Sequence, residues 1–153
     1  MDGNDLLKLD SQLCFAIYAC SRSLTRLYRP LLNQLGITYP QYLVMLVLWE
    51  NSPQSVTGLG ERLFLDSGTL TPLLKRMESN GLVERIRSRE DERKVLIKVT
   101  EKGEILKEKA FEVPEKLFCR SGLTVEEFFR MKADLGRLLE RLRNHEEGFG
   151  NHG

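Results

Sequence analysis

Hydrophobic residues between positions 66 and 99 recur first at helical spacing and then in alternation with polar ones. Asp66 can cap a helix with its carboxylate, and the residues after it place one apolar face on that helix: Leu70, Leu73, Leu74 and Met77. Gly81 after Asn80 is a helix-terminating signal. Two runs that alternate apolar and polar positions follow, separated by the polar sequence SREDER at 88–93. The pattern predicts a helix that leads directly into a β-hairpin with an exposed tip.

A shorter helical pattern precedes this one, from Ser55 to Leu65. Its apolar side consists of Val56, Leu59, Leu63 and Phe64. The junction at Leu65 and Asp66 is short enough for the tight turn of a helix-turn-helix. The order of elements therefore predicts a winged helix-turn-helix over about residues 38–100. The predicted fold class is mainly α with a small β-hairpin wing.

Double-stranded DNA is the partner that this order of elements predicts. The second helix would enter the major groove with its N-terminal polar residues leading, and the hairpin arginines would reach the backbone or the adjacent minor groove. The candidate DNA-binding residues are Asp66, Ser67, Thr69, Thr71, Pro72, Lys75, Arg76, Arg85, Arg87, Asp91, Arg93 and Lys94.

The charge of this region favours the same partner. Residues 75–98 contain eight Lys or Arg against five Asp or Glu, a local charge of +3 on a chain whose net charge is +1. Basic charge confined to one region is typical of a nucleic-acid-binding surface. A solvated charged hairpin is the alternative, and the sequence of helix, glycine stop and basic hairpin favours DNA binding over it.

Helical patterns also flank the predicted DNA-binding unit. One runs from Asp10, a candidate N-cap, to Leu32. The capping box Thr38–Gln41 opens a helix that is apolar almost all round and therefore predicted to be buried, from Tyr39 to about Glu50. Thr100 can cap a helix that runs to about Cys119 and is interrupted at Pro114, and a second capping box, Thr124–Glu127, opens the last helix.

The helices at 10–32 and 101–145 have apolar faces that the DNA-binding unit does not need for its own core. A second copy of the chain is the simplest partner for them, and a symmetric dimer suits a palindromic operator. Folding back onto the same chain is the alternative. We expect a homodimer of one domain spanning residues 1–153, with a disordered tail at 146–153.

Composition limits the class of protein. The chain has 153 residues, 41% of them hydrophobic and 29% charged, which is ordinary for a globular protein. The longest apolar run, at 42–49, is too short to span a bilayer, so no membrane partner is expected. Three widely spaced cysteines do not suggest a secreted disulfide scaffold, and we expect a cytoplasmic protein with reduced thiols. The spacings of cysteine and histidine match no zinc pattern, and we expect no metal and no cofactor.

Four segments resemble the MarR-type winged-helix repressors, and within them the organic hydroperoxide regulators (OhrR). They are LDSQLCFAIYACSR (9–22), YRPLLNQLGITYPQYLVMLVLWE (28–50), LGERLFLDSGTLTPLLKRMESNGLVERIRS (59–88) and EDERKVLIKVTEKG (90–103). The resemblance covers most of the chain and is weakest beyond about residue 105. The L-C-F context with TYPQY is the part most specific to the peroxide-sensing branch.

The resemblance implies a homodimeric repressor that releases its operator when one cysteine per subunit is oxidised by an organic hydroperoxide. The reactive cysteine of the family corresponds to Cys14, and its two thiol-contacting tyrosines correspond to Tyr28 and Tyr39. The resemblance leaves two types open: family members with one reactive cysteine need an outside thiol, and members with two form an intersubunit disulfide. In the second type the other cysteine lies in the C-terminal helical region, where this chain has Cys119. A plain core thiol is the alternative for Cys119.

The residues around Cys14 suit this chemistry. The thiol falls near the start of its helix, where the helix dipole favours a thiolate, and a thiolate attacks a peroxide to give a sulfenic acid. Tyr28 lies on nearly the same helical face but fourteen residues away, roughly 21 Å along the axis. If Tyr28 helps Cys14, it must come from the other subunit. Cys20 cannot bridge to Cys14 within one helix and is interpreted as core filler.

Three other interpretations remain. Cys14 on periodicity alone resembles a buried structural cysteine. A relative switched by a small aromatic ligand would use the same fold without thiol chemistry. A thiol peroxidase would use Cys14 catalytically and would not bind a specific DNA sequence.

Overall fold

The computed structural model describes residues 5–149, with side chains described through His145. The described chain forms two compact units, one that ends at Leu117 and one that begins at Phe118. A short 3₁₀ turn lies at Leu9–Ser11. The helices and strands are α1 (Leu13–Leu35), α2 (Tyr39–Glu50), β1 (Gln54–Ser55), α3 (Val56–Leu63), α4 (Ser67–Ser79), β2 (Val83–Arg87), β3 (Val95–Val99), α5 (Glu101–Ala110), α6 (Glu112–Ser121) and α7 (Val125–Phe149).

Helix α2 forms the centre of the first unit, as its apolar sequence predicts. Its buried residues include Tyr42, Val44, Met45, Val47 and Leu48. The predicted capping box opens it, since the Gln41 backbone N–H donates to Thr38 Oγ1 at 3.4 Å and the Thr38 N–H donates to Gln41 Oε1 at 2.9 Å. The core also includes the inner faces of α4 and of the sheet.

Helix α1 differs from its prediction at both ends. Residues 9–11 form the 3₁₀ turn, so Gln12 and not Asp10 is the N-cap, and the Gln12 side chain donates to backbone carbonyls at Leu6 and Lys8 instead of capping the helix. The helix continues past Pro30 to Leu35. Only its C-terminal part enters the core, through Leu31 and Leu32.

The sheet has a third strand that the hairpin pattern does not indicate. Strand β1 pairs antiparallel with β3, and the strand order is β1-β3-β2. The predicted hairpin is confirmed, with Val83 opposite Val99 and Arg87 opposite Val95. A strand of two residues has no periodicity of its own, so only its pairing with β3 defines it.

The break between α5 and α6 lies at Phe111 and not at the predicted Pro114. The ring of a proline excludes the carbonyl four residues earlier, which here belongs to Ala110, the last residue of α5. Pro114 itself lies in the first turn of α6, where its missing N–H removes no helical bond. The predicted cap at Thr100 is confirmed, because the Gly103 N–H donates to Thr100 Oγ1 at 3.2 Å.

The second unit contains the end of α6 and all of α7. The predicted capping box is present, since the Glu127 N–H donates to Thr124 Oγ1 and the Thr124 N–H donates to Glu127 Oε2. Helix α7 extends to Phe149, so the disorder predicted from residue 146 is wrong for 146–149, and 150–153 lie outside the described residues. Apolar side chains exposed on α7 are Val125, Phe128, Phe129, Met131, Leu135, Leu139 and Leu142.

Among the described residues, no single helix has the length and hydropathy of a membrane span, although α1 and α2 together, bent by 71°, meet that criterion by length and composition.

Candidate DNA-binding surface and thiol site

A tight turn joins α3 to α4. Phe64 ends α3 in the left-handed backbone region, with φ 56° and ψ 40°, and the Leu65 N–H donates to the Gly60 carbonyl at 3.0 Å. A Cβ at Gly60 would lie 2.7 Å from the Leu65 carbonyl oxygen, so only glycine allows the chain to turn this closely. The predicted helix-turn-helix is therefore present. Phe64, which the sequence pattern placed on the apolar side of α3, is instead exposed in the turn.

Asp66 caps α4 as predicted. Its Oδ1 accepts the Thr69 backbone N–H at 2.8 Å, and Oδ2 accepts the Thr69 hydroxyl at 3.3 Å. The backbone N–H of Thr69, followed by its hydroxyl, lowers the pKa of Asp66 below the usual aspartate range. The carboxylate is thus ionised, and the hydrogen bonds that it accepts start helix α4.

Helix α4 has one buried and one exposed face. Leu70, Leu74 and Met77 lie in the core. The candidate residues of the opposite, exposed side are Ser67, Thr69, Thr71, Pro72, Lys75 and Arg76. Within the described residues, Lys75 and Arg76 form no ion pair, so their charges are available to a phosphate.

The wing is held in shape by Asp91. Its Oδ1 accepts the Arg93 backbone N–H at 3.0 Å, and its carbonyl accepts the Lys94 N–H at 2.9 Å. The turn therefore presents the exposed side chains of Arg93 and Lys94 at the tip, with Arg87 exposed on β2. Arg85 differs from them, because its Nε lies 3.2 Å from Glu78 Oε2 on α4. This ion pair links β2 to α4. It engages the charge of Arg85, a residue that the sequence pattern predicted to bind DNA.

Replacing Arg93 with alanine is expected to weaken DNA binding and to flatten its salt dependence. Each phosphate that a protein neutralises releases about one counterion, so the slope of log K against log salt should become shallower by about 0.9 if Arg93 binds one phosphate. Fluorescence anisotropy on labelled duplex over a salt series measures both effects. Arg137→Ala is the matched control, because it removes the same charge from α7, where Arg137 pairs with Asp134. An unchanged slope for Arg93→Ala would remove the wing tip from the interface.

Cys14 is the second residue of α1 and is exposed. This position confirms the predicted location in the first helical turn. Its neighbours Leu13, Phe15 and Ile17 are also exposed. Cys20 is exposed too, so its interpretation as core filler is wrong for the single chain, because the N-terminal half of α1 lies outside the core. Cys119, in the second unit, is a free and exposed thiol.

Tyr28 and Tyr39 form an aromatic pair. Their ring centroids lie 4.8 Å apart, and the Tyr42 ring lies 5.8 Å from that of Tyr28. Burial, followed by the proximity of Tyr39 and Tyr42, raises the pKa of Tyr28 to about 12, and burial also raises the pKa of Tyr39. Both phenols therefore remain protonated at neutral pH and can donate a hydrogen bond to an anion.

The structure brings the two tyrosines together but not Cys14 with them. Helix α1 is continuous from Leu13 to Leu35, so Cys14 and Tyr28 are separated by roughly 21 Å along one axis. Each chain thus has a thiol at the N-terminal end of α1 and a phenol pair, Tyr28 of α1 and Tyr39 of α2, towards the C-terminal end of that helix. Among the described residues, no group of three or more His, Cys, Asp or Glu is placed to hold a metal ion.

Two helices joined by a tight turn, an exposed polar face on the second helix and a basic hairpin define a winged-helix DNA-binding protein. Residues 26–110 match the family model described as transcriptional regulator SarA/Rot. The organic hydroperoxide resistance transcriptional regulator of Bacillus subtilis (strain 168) is 54% identical over 138 residues, which cover 90% of this chain and 94% of that protein. The chain belongs to the MarR-type winged-helix transcriptional regulators, in the organic hydroperoxide regulator branch.

Solved structures of DNA-binding regulators also resemble this chain. Reduced AbfR of Staphylococcus epidermidis bound to DNA is 40% identical, with a TM-score of 0.73 over 91% of this chain and 97% of that one. Disulfide-formed AbfR is 39% identical, with a TM-score of 0.61 over 89% and 96%. A mutant MarR of E. coli complexed with operator DNA is 27% identical, with a TM-score of 0.77 over 91% and 99%. These relatives are DNA-binding regulators and not enzymes.

Proposed function

We propose that the chain is a redox-sensing repressor. As a homodimer in the cytoplasm it binds a palindromic operator, and it leaves the DNA when an organic hydroperoxide oxidises Cys14. The observation that carries this proposal is the distance between the thiol and the phenols within one chain. Cys14 lies at the N-terminal end of α1, and the protonated pair of Tyr28 and Tyr39 lies towards its C-terminal end.

Two copies of α1 in antiparallel arrangement complete this site. Cys14 of one chain then meets the phenol pair of the other, which is out of reach within its own chain. The exposed apolar residues of α1 support such a pairing, since Leu13 is 64% exposed and Ile17 and Leu24 are also open to solvent. Burying a face of this kind favours association. The apolar residues of α7 provide a further surface for the same purpose.

The chemistry balances within this arrangement. The Cys14 thiolate attacks the terminal oxygen of the hydroperoxide, so that an S–O bond forms while the O–O bond breaks. Sulfur is oxidised by two electrons, the peroxide is reduced, and the leaving alkoxide takes a proton to become an alcohol. Hydrogen bonds from the Tyr28 and Tyr39 hydroxyls stabilise the attacking thiolate. The exposed leucine, phenylalanine and isoleucine beside Cys14 favour an apolar organic substituent on the oxidant.

The comparisons support the same mechanism. The Bacillus subtilis relative is named for organic hydroperoxide resistance, and AbfR is known in reduced and disulfide forms.

A binding assay before and after oxidation tests the proposal. Reduced protein should bind a duplex that it selects from a random-sequence library, and one equivalent of cumene hydroperoxide per subunit should release it. Mass spectrometry should show a single added oxygen, or a disulfide, at Cys14. Retention of DNA by protein in which every Cys14 carries a single added oxygen or a disulfide would contradict the mechanism.

Cys119 is proposed as the resolving thiol. Its thiol would attack the Cys14 sulfenic acid of the other subunit, forming an S–S bond and releasing water. Oxidised wild-type protein should then run as a covalent dimer on a non-reducing gel, and Cys119→Ser should remove that dimer. Cys20→Ser, which removes another exposed thiol, is the control and should leave the dimer intact. A monomer band from oxidised wild-type protein would rule out resolution across subunits.

A further inference from the structure

The base of the wing is fixed to the end of α4 by its backbone. The Leu82 N–H donates to the Met77 carbonyl at 3.0 Å, and the Thr100 hydroxyl donates to the Gly81 carbonyl at 2.6 Å. Val83, the first residue of β2, is 2% exposed and belongs to the core. These contacts hold the first residues of the wing, and they lie at the end away from its tip.

Arg85 continues this attachment one step further along β2. Successive residues of a strand point to opposite faces, so Arg85 lies on the same face of the sheet as Val83. Its Nε lies 3.2 Å from Glu78 Oε2 of α4. The other ion pair of the wing in the described part of the chain, between Lys98 and Glu84, joins the two strands to each other. The pair at Arg85 therefore attaches the wing to α4 beyond the point where the apolar core ends.

This attachment affects the direction of the wing more than the stability of the fold. The side chains of Arg85 and Glu78 are 32% and 42% exposed, and solvent weakens an ion pair at such positions. A weak pair can still favour one orientation among several of similar free energy. Because each strand residue adds about 3.3 Å, a small tilt at Arg85 is magnified at the wing tip, where Arg93 lies.

The angle between α4 and the wing matters because both elements contact the same duplex. In a winged helix the second helix enters the major groove, and the wing reaches the backbone or the adjacent minor groove. Both contacts form together only when the angle between the two elements fits the duplex. An angle that is set before binding lowers the cost of ordering the wing on the DNA.

We propose that Glu78 is a positioning residue for the wing. By holding Arg85, it sets the wing at the angle from α4 at which α4 and Arg93 contact one duplex together. Arg85 then acts through the wing tip and is engaged by Glu78 instead of by a phosphate. The proposal rests on the DNA-binding role of the winged helix and is independent of the oxidation of Cys14.

A charge-neutral double variant tests this role. Glu78→Gln/Arg85→Gln removes the ion pair and leaves the net charge unchanged. Glu84→Gln/Lys98→Gln is the matched control, because it removes the pair within the wing, at 3.4 Å, and leaves α4 untouched. Each double variant is made with and without Arg93→Ala. Fluorescence anisotropy measures the binding of every protein to the duplex that the wild-type protein selects from a random-sequence library.

The variant Glu78→Gln/Arg85→Gln should bind this duplex about threefold more weakly, a loss on the scale of one partly exposed ion pair. Arg93→Ala should cost it less affinity than it costs the wild type, because a misdirected wing tip has less contact to lose. The control should keep wild-type affinity and the full cost of Arg93→Ala. Both double variants should melt close to the wild type. Arg85→Lys, which keeps a cation near Glu78, should retain most of the affinity.

Three results would overturn the proposal. The first is wild-type affinity in Glu78→Gln/Arg85→Gln. The second is an equal cost of Arg93→Ala in that variant and in the wild type, since independent contacts add, and it would assign Arg85 itself to DNA. The third is an equal loss in the control, which would indicate a general effect on the sheet. If the glutamines disturb the fold, Glu78→Ala/Arg85→Ala is judged by the same results. Failure of the wild-type protein to select any duplex would refute the DNA-binding function itself.

Discussion

Replacing Cys14 with serine should leave operator binding intact and abolish its release by organic hydroperoxide. Serine has nearly the same size, and Cys14 is exposed at the start of α1, outside the core of its chain, so the fold should not change. A hydroxyl at neutral pH is not a nucleophile for the O–O bond, so the oxidation step is lost. Anisotropy on labelled operator, with cumene hydroperoxide titrated into each protein, measures the response.

Cys20→Ser is the matched control for this variant. It makes the same substitution at a second exposed thiol, six residues further along the same helix, and should respond as wild type does. Release of Cys14→Ser by the peroxide would transfer the sensing role to another group. A response of that variant to small aromatic molecules, with none to peroxide in the wild type, would favour a ligand-gated relative of the same fold.

Replacing Gly103 with alanine should destabilise the first unit more than other exchanges of glycine for alanine. A Cβ at this position would lie 2.5 Å from the Leu82 carbonyl oxygen, 2.6 Å from Val99 Cγ2 and 3.1 Å from Met45 Cε. The backbone of α5 therefore packs directly against Leu82 and Val99, which flank the hairpin at the end away from its tip. Position 103 has room for a hydrogen atom but not for a methyl group. Overpacking of this kind costs about 3 kcal/mol of unfolding free energy, or roughly 10 °C in a protein of this size.

Thermal melting followed by circular dichroism measures this effect. Gly136→Ala in α7 is the control, since a Cβ there meets nothing within 4 Å. That variant should be more stable than wild type, by roughly 0.5–1 kcal/mol, because alanine loses less backbone freedom than glycine in a helix. Equal melting temperatures for Gly103→Ala and the wild type would show that α5 can move away from the wing base without cost.

Local signals in the sequence predicted most of the DNA-binding unit. The caps at Thr38, Asp66, Thr100 and Thr124 were all identified, because a capping side chain bonds to backbone groups within three residues of itself. The order of helix, tight turn, helix and hairpin was predicted from hydrophobic periodicity and turn residues, which are also local signals. Asp10 shows the limit of such signals, since the 3₁₀ turn after it moves the start of α1 to Leu13.

Features that depend on distant residues could not be predicted in this way. Strand β1 exists through its pairing with β3, some forty residues later. The ion pair between Arg85 and Glu78 forms because the chain reverses at Gly81, and a count of charges does not reveal which of them are already paired. Periodicity likewise places Cys20 on an apolar face of α1, but it does not indicate whether the same chain covers that face.

The chain's single tryptophan, Trp49, extends the ring contacts that join Tyr39, Tyr28 and Tyr42. Its indole N–H donates to the Gly103 carbonyl at 3.0 Å, and its ring meets that of Tyr42 edge-on, with centroids 6.4 Å apart. Tyr42 in turn lies beside Tyr28. The protein therefore contains its own fluorophore next to the phenols. If Cys14 of a second copy meets those phenols, stopped-flow emission spectroscopy should follow its oxidation in real time without an attached dye.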